Sequence, residues 1–474
     1  MPRETTDMRR IAKLSTLALL SILGWGCAVG PNYQRPKVAV PDAYRGLPQA
    51  DAGKPGSVSF GDQKWWDAFQ DETLQTLIRT ALQQNYDVRI AAARILQARA
   101  QLGIARADQS PAVSANAAGV NERIPRSVGA PAVNTSASQV SLSLAWELDF
   151  WGKFRRATES ARANLLANEW ARQEVISTLV SDVAAAYFQL RELDLELEIS
   201  RQTLATRQDS LRLTQTLADH GATSLLDVRQ AEQLVFAAAE TIPDLERQIE
   251  QQENFISTLL GQNPNAVPRG RKLTDQPHAP EVPAGLPSSL LERRPDIRQA
   301  EQQLVAFNAQ IGVAKADFFP QISLTGSGGY QSSALTGLFS GPAGLWTFGG
   351  NLTQPIFEGG RIRNRVRFAE AKQQEAALIY QKTIQEAFRE VSDALVAYRK
   401  SQEFRVQQEQ LTRSAEDATR LSNMRYKGGA TSYLEVLDSD TRQFAAQLTL
   451  AQAQLNELQS LVRIYRALGG GWQQ

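Results

Sequence analysis

Two stretches of this chain contain neither glycine nor proline: Lys153 to His220, 68 residues, and Arg361 to Lys427, 67 residues. Nothing in them breaks a helix, and at about 1.5 Å per residue each would run roughly 100 Å as one rod. A single compact domain has no room for such a rod. The first carries Ile176, Val183, Leu190, Leu197, Leu204 and Leu211 at intervals of seven, which predicts a coiled-coil seam. The second has Tyr380, Ile384, Phe388, Val391, Leu395 and Tyr398 at alternating threes and fours and then turns polar. Each rod reverses at a glycine and returns as a helix of 39 residues, Ala222 to Leu260 or Ala430 to Leu468, the first bent at Pro243.

The chain also repeats itself. Gln101 to Asp108 (QLGIARAD) answers to Gln310 to Asp317 (QIGVAKAD), and Gly221-Ala222-Thr223-Ser224 recurs 208 residues on as Gly429-Ala430-Thr431-Ser432. Phe150-Trp151-Gly152 answers to Phe357-Glu358-Gly359. A proline-rich stretch from Pro264 to Pro287 joins the copies and reads as extended.

Ahead of each rod the apolar period shortens to two. Val140, Leu142, Leu144, Trp146, Leu148 and Phe150 alternate with small or polar residues, a strand with one greasy and one wet face. Trp346, Phe348, Leu352 and Ile356 repeat that phase, and weaker strands precede both, from about Val113 and from Gln321. Four strands per chain result, of a length that suits a tilted membrane strand. A four-stranded sheet in lipid exposes two unpaired edges, and each unsatisfied backbone group there costs several kcal/mol. Two or three chains must therefore pool strands to close a barrel. Trp146, Phe150, Trp151 and Phe357 end the strands, with Lys153, Arg155, Arg156 and then Arg361, Arg363, Arg365 and Arg367 just after, as an interfacial aromatic girdle followed by cations would. The alternatives are a small soluble sheet with one face on a core, and a solvated helix start for the arginines.

Composition closes off other classes. With 51 Lys+Arg against 50 Asp+Glu there is no basic excess for nucleic acid, and one Cys and two His leave no disulfide and no metal cluster. No P-loop or nucleophile elbow occurs, and Gly326-Ser327-Gly328-Gly329 falls in a predicted strand, so neither an enzyme nor a cofactor is expected. His220 reads as a solvated helix-end residue. Arg9, Arg10 and Lys13 precede an apolar run, Leu14 to Leu23, that is too short to span a membrane and reads as a secretory signal. It ends in Leu23-Gly24-Trp25-Gly26-Cys27, a lipobox apart from Trp25, which makes Cys27 the expected lipidation site; Ala28 in place of Asp favours the outer membrane.

On Gly26-Cys27-Ala28-Val29-Gly30-Pro31-Asn32-Tyr33, the Phe357-Glu358-Gly359-Gly360-Arg361 corner, Arg293-Arg294-Pro295-Asp296-Ile297 and the Gly-Ala-Thr-Ser turns, the chain resembles the TolC-like outer-membrane factors, in particular the NodT-type lipoproteins of RND efflux systems. The resemblance implies a mainly helical homotrimer. Long antiparallel coiled-coil helices would form an α-barrel through the periplasm, and four strands per chain would complete a 12-stranded barrel in the outer membrane. It implies these divisions: signal peptide 1–26, a lipidated segment 27–70 packing at the waist, a first repeat 71–266, a linker 267–287 and a second repeat 288–474. The function implied is a passive exit duct for drugs or other small toxic compounds, working with a periplasmic adaptor protein and an inner-membrane RND transporter. A protein-secreting type I duct and a non-conducting periplasmic tether are the competing readings.

The resemblance puts the turns at the periplasmic tip, with Gly221, Ala222, Thr223, Gly429, Ala430 and Thr431 as adaptor contacts. Relatives constrict the pore with acids at the positions of Glu435 and Asp438. For Glu435 a capping box with Ser432 is the competing role. Asp227 is expected to pair with Tyr426 or Arg425 to hold the tip shut; relatives with a stronger lock carry Arg where this chain has Thr431.

Overall fold

The computed structural model describes residues 28–45, 59–126, 131–277 and 287–472. The leader, Cys27, His278 and the last part of the proline-rich stretch lie outside the described residues. The order of elements runs twice. First come α1 (Glu72–Gln84), α2 (Tyr86–Ala107), β1 (Ala112–Ile124), β2 (Val133–Glu147), α3 (Lys153–Asp219) and α4 (Leu225–Leu259). The same order returns as α5 (Pro287–Arg293), α6 (Pro295–Ala316), β3 (Gln321–Ser332), β4 (Gly344–Thr353), α7 (Arg361–Lys427) and α8 (Tyr433–Ala467). The rods keep the bounds set by their missing glycine and proline to within a residue. The return helices start three residues later than the pattern suggests, because Ser224 and Ser432 take the N-cap positions. Pro243 lies inside α4, which continues through it at the loss of one hydrogen bond.

The chain divides into two units, one holding described residues of 1–37, 95–168 and 300–380, the other those of 38–94, 169–299 and 381–474. The first contains the sheet, antiparallel throughout in the order β1-β2-β3-β4. Register puts Val140 beside Tyr330, Leu142 beside Gly328 and Leu144 beside Gly326, while Gly328 and Gly326 lie across from Trp346 and Phe348. These residues share one face, and that face is bare: Leu142 is 59% exposed, Trp346 81% and Phe348 73%. On the other face Ser141 is buried. A sheet built for water has the reverse arrangement, so the reading of a soluble sheet packed on a core fails here. An N-terminal strap crosses the same unit. Val29 N donates to Trp151 O (2.9 Å), Arg156 reaches Asn32 Oδ1 (2.8 Å), and Asn308 Nδ2 donates to Pro31 O (2.9 Å). Gly30, at φ +102°, passes so close to Gly312 that a Cβ would sit 2.5 Å from its Cα.

In the second unit Leu74 and Ile78 of α1, Ile176, Val183, Tyr187 and Leu190 of α3, and Leu458, Ile464 and Tyr465 of α8 are all buried. Asp71 caps α1 through Thr73 N (2.9 Å) and Leu74 N (3.2 Å), and its carboxylate also accepts from Tyr187 Oη (3.1 Å), Gln276 Nε2 (3.0 Å) and Arg271 N (3.0 Å). Burial pushes this carboxyl up, but the bonds from Gln276, the Leu74 and Arg271 amides and Tyr187 outweigh it and hold its pKa below the usual value. Its contribution is present above the ordinary carboxylate range and is lost as pH falls through the lowered pKa. Asp71→Ala is expected to cost about 2–4 kcal/mol, from the lost cap and the donors left unanswered, read as a lower unfolding midpoint at pH 7. A midpoint within a degree of wild type would deny Asp71 this role.

The rods depart from the expected seam beyond their midpoints. Ile176, Val183 and Leu190 are fully buried, but Leu197, Leu204 and Leu211 are only half-buried. The alternate heptad position, Ser200, Arg207 and Thr214, takes the deepest places there. In α7 the buried residues after Tyr398 are Gln408, Thr412, Thr419 and Ser422. They hydrogen-bond to α8 instead of merely filling space: Gln408 Nε2 and Thr412 Oγ1 donate to Ala446 O (3.1 and 3.2 Å), and Thr419 Oγ1 donates to Ser439 O (2.9 Å). Ser422 Oγ meets Ser439 Oγ at 2.6 Å.

Candidate functional site

Both rods end in the same turn. Gly221 N donates to Ala218 O (2.9 Å) and Ala222 N to Leu217 O (2.8 Å); Gly429 N donates to Tyr426 O (2.9 Å) and Ala430 N to Arg425 O (2.8 Å). Both glycines sit at φ +72°, with open space where a side chain would go, so backbone handedness is what requires them. The identical bonding reverses each helix within a few residues. Ala222, Thr223, Ala430 and Thr431 lie at these turns, and His220 closes the first helix with Nδ1 2.7 Å from Thr216 O.

The acids past the two turns behave differently. Asp227 closes a capping box with Ser224, exchanging bonds with its amide (3.1 Å) and hydroxyl (3.0 Å), and also accepts from Thr223. Burial pushes its carboxyl up, but the bonds from Thr223 and from the amide and hydroxyl of Ser224 prevail and lower its pKa. Within the chain it meets neither Tyr426 nor Arg425: Oδ2 takes all three of these bonds at the helix start, and Arg425 faces Glu435 instead. Glu435, where a box with Ser432 was the alternative, makes none: Ser432 forms no side-chain cap. The Glu435 carboxylate accepts from Thr431 and faces Arg425 at 3.7 Å. Asp438 pairs with Arg442 (2.9 Å) on the exposed surface of α8. Tyr426 packs edge-on to Tyr433 (5.3 Å between centroids) in a small cluster with Ala231, Val436 and Leu211. Its hydroxyl is buried without a partner among the described residues.

The sequence reading missed the most buried ion pair near the turns. Arg207 Nε donates to Asp440 Oδ2 (2.7 Å), Arg207 Nη1 donates to Leu234 O (2.9 Å), and the guanidinium lies 4.9 Å from the Phe444 ring. Their side chains are only 4% and 16% exposed. One arginine thus ties α3 and α4 of the first copy to α8 of the second. The available signal was a charged residue at a seam position of α3, which demands a partner.

At the sheet, the four expected girdle residues differ in exposure and partners. Trp146 Nε1 donates to Gln109 O (3.1 Å). Trp151 Nε1 donates to Pro320 O (2.8 Å), with the ring stacked on Phe319. Both indoles find acceptors within the chain, as buried Trp normally must. Phe150 is half-buried, whereas Phe357, beyond the end of β4, is 89% exposed. Several expected interfacial cations are also engaged internally: Arg156 is buried against the strap and Glu159, Arg155 pairs with Asp149, and Lys153 and Arg365 share Asp317. Arg363 and Arg367 stay exposed. Among the described residues no helix is long and apolar enough to cross a membrane, and no group of His, Cys, Asp and Glu could hold a metal.

Residues 77–262 and 286–470 match the outer membrane efflux protein family. The antibiotic efflux pump outer membrane protein ArpC of Pseudomonas putida is 38% identical over 463 residues, spanning 97% of this chain and 96% of the relative. Among solved structures, the outer-membrane channel OprN superposes with a TM-score of 0.86 at 34% identity, covering 94% of this chain and all of that one. The open state of the Neisseria gonorrhoeae MtrE outer membrane channel gives 0.85 at 33% identity, over 94% and 99%. With bare strands, twin rods and twin turns in the arrangement these channels share, the chain belongs to the outer membrane efflux protein family.

Proposed function

We propose that three copies of this chain close their sheets into one 12-stranded barrel and form a passive exit duct for small toxic compounds, such as the toluene and antibiotics that its relatives' names record. Cys27 carries the acyl anchor in the outer membrane, and the rods extend into the periplasm. The turns at Gly221 and Gly429 meet a periplasmic adaptor, which links the duct to an inner-membrane RND transporter. The observation that carries this reading is the four-stranded sheet with its apolar face uncovered, β1 and β4 being edges that no other described strand of this chain pairs. Purified protein in planar bilayers tests it. A trimer with discrete single-channel conductance is expected, and a monomer or a silent bilayer would reject the duct.

Glu435 and Asp438 form the narrowing in this proposal, since a threefold axis would repeat each as a ring of like charge. Among the described residues Asp438 is held by an exposed i,i+4 pair, an arrangement of small strength that leaves it free to bind a cation. Asp438→Ala should raise the leak of the closed channel and weaken its block by divalent cations. Leak and block both equal to wild type would remove Asp438 from the narrowing.

A further inference from the structure

A cavity of about 430 Å³ lies where α3, α6 and α7 run side by side, far along the chain from the turns. The three helices adjoin β2, β3 and β4, which are neighbours in the sheet, so one chain walls the cavity by itself. Its aromatic walls are Phe307 of α6 and Phe368 of α7, the latter 66% exposed. Ser160 Oγ accepts from Gln310 Nε2 (2.9 Å) and joins α3 to α6 at its floor. Arg365 and Lys372, seven residues apart, stand on the same face of α7 as Phe368. The single acid in the lining, Asp317, is already met by Lys153 (3.1 Å) and Arg365 (3.4 Å). Among the described residues Lys372 makes an exposed pair with Glu375 (2.9 Å). The site therefore offers flat apolar walls and a cationic rim.

The strap shows which way the cavity faces. Tyr33 and Arg35 contact Glu301, Pro31 contacts Asn308, and Gly30 contacts Gly312. Spacings of seven and four put these three α6 residues on one stripe. Gln310 stands two residues from both Asn308 and Gly312, about 200° round the helix. Strap and cavity thus occupy opposite faces of α6. In the proposed duct the acyl anchor at Cys27, one residue before the strap begins, lies in lipid outside the passage, so on that reading the cavity opens toward the passage.

We propose that this cavity is a transient binding site for aromatic anions on the inner wall of the duct. Flat apolar bodies lodge between Phe307 and Phe368, and their anionic group meets Lys372. This rests on the duct reading above. The test uses the full-length trimer in planar bilayers with two probes that share a ring skeleton: anilinonaphthalene sulfonate, and phenylnaphthylamine, which lacks the sulfonate. The sulfonate should produce discrete, reversible current blocks. Phe368→Ala should raise the blocking concentration roughly tenfold, and Lys372→Gln about threefold to fivefold for the sulfonate and not at all for the neutral probe. Conductance without any sulfonate block, or blocks unchanged in both variants, overturns the site and leaves the duct standing. Probe fluorescence that falls in the variants without any current block puts the cavity on the outer wall and also overturns it. A wild-type protein that never conducts removes both readings.

Discussion

Arg207→Ala should be among the most damaging single substitutions in the distal half of the rods. It leaves the Asp440 carboxylate, whose side chain is 16% exposed, facing a seam with no cation, and stranding one member of a buried pair costs about 3–5 kcal/mol. The arginine also bonds the Leu234 carbonyl and covers Phe444, so α3, α4 and α8 lose a shared tie at once. Hydrogen exchange should quicken along those three helices near the turns and little in the sheet. The pair itself is worth less than the cost of breaking it, because two charges were dehydrated to form it. The double variant Arg207→Met with Asp440→Leu should therefore recover most of the loss. A double variant less stable than Arg207→Ala would mean that the ion pair contributes strongly in its own right, against this account.

The second large effect separates the two faces of one strand. Phe348 and Thr347 are adjacent in β4 and both are exposed in the single chain. In a soluble sheet Phe348→Arg would be harmless or helpful. On the lipid face of a barrel an arginine near the midplane costs about 2–4 kcal/mol per chain, and three copies multiply the penalty. Phe348→Arg should therefore abolish trimers in the membrane fraction. Thr347→Arg, on the face that the proposed barrel turns inward, should assemble normally and shift ion selectivity toward anions. Equal assembly of the two variants would contradict the assignment of faces.

Much of the fold was legible because its determinants are local. Absence of glycine and proline bounds a helix without reference to anything else, and α3 and α7 follow it almost residue for residue. Alternation likewise located β2 and β4, since a strand's two faces are written in consecutive residues. What could not be read depended on distant partners. Leu197, Leu204 and Leu211 look like the seam in isolation, yet Ser200, Arg207 and Thr214 lie deeper, since what covers a helix face depends on which helices arrive there. Asp440 lies 233 residues from Arg207 and resembles any surface acid until the rods pair. Residue type marks Trp146 and Trp151 in the sequence, whereas the Gln109 and Pro320 carbonyls that take their N–H groups are distant and could not be read there. Asp227 and Glu435 are matched by the repeat and by chemistry, yet only the first caps its helix.

The uneven spread of glycines among the four strands bears on curvature. Gly326, Gly328 and Gly329 lie in β3 and Gly344, Gly349 and Gly350 in β4, whereas β1 has Gly119 alone and β2 has none. Strands bend most readily where side chains are missing from the inside of the bend. Only Gly329 and Gly349 fall on the Ser141 face, the inner one of any ring these strands close, so such a ring bends inward most readily at its β3–β4 pairs.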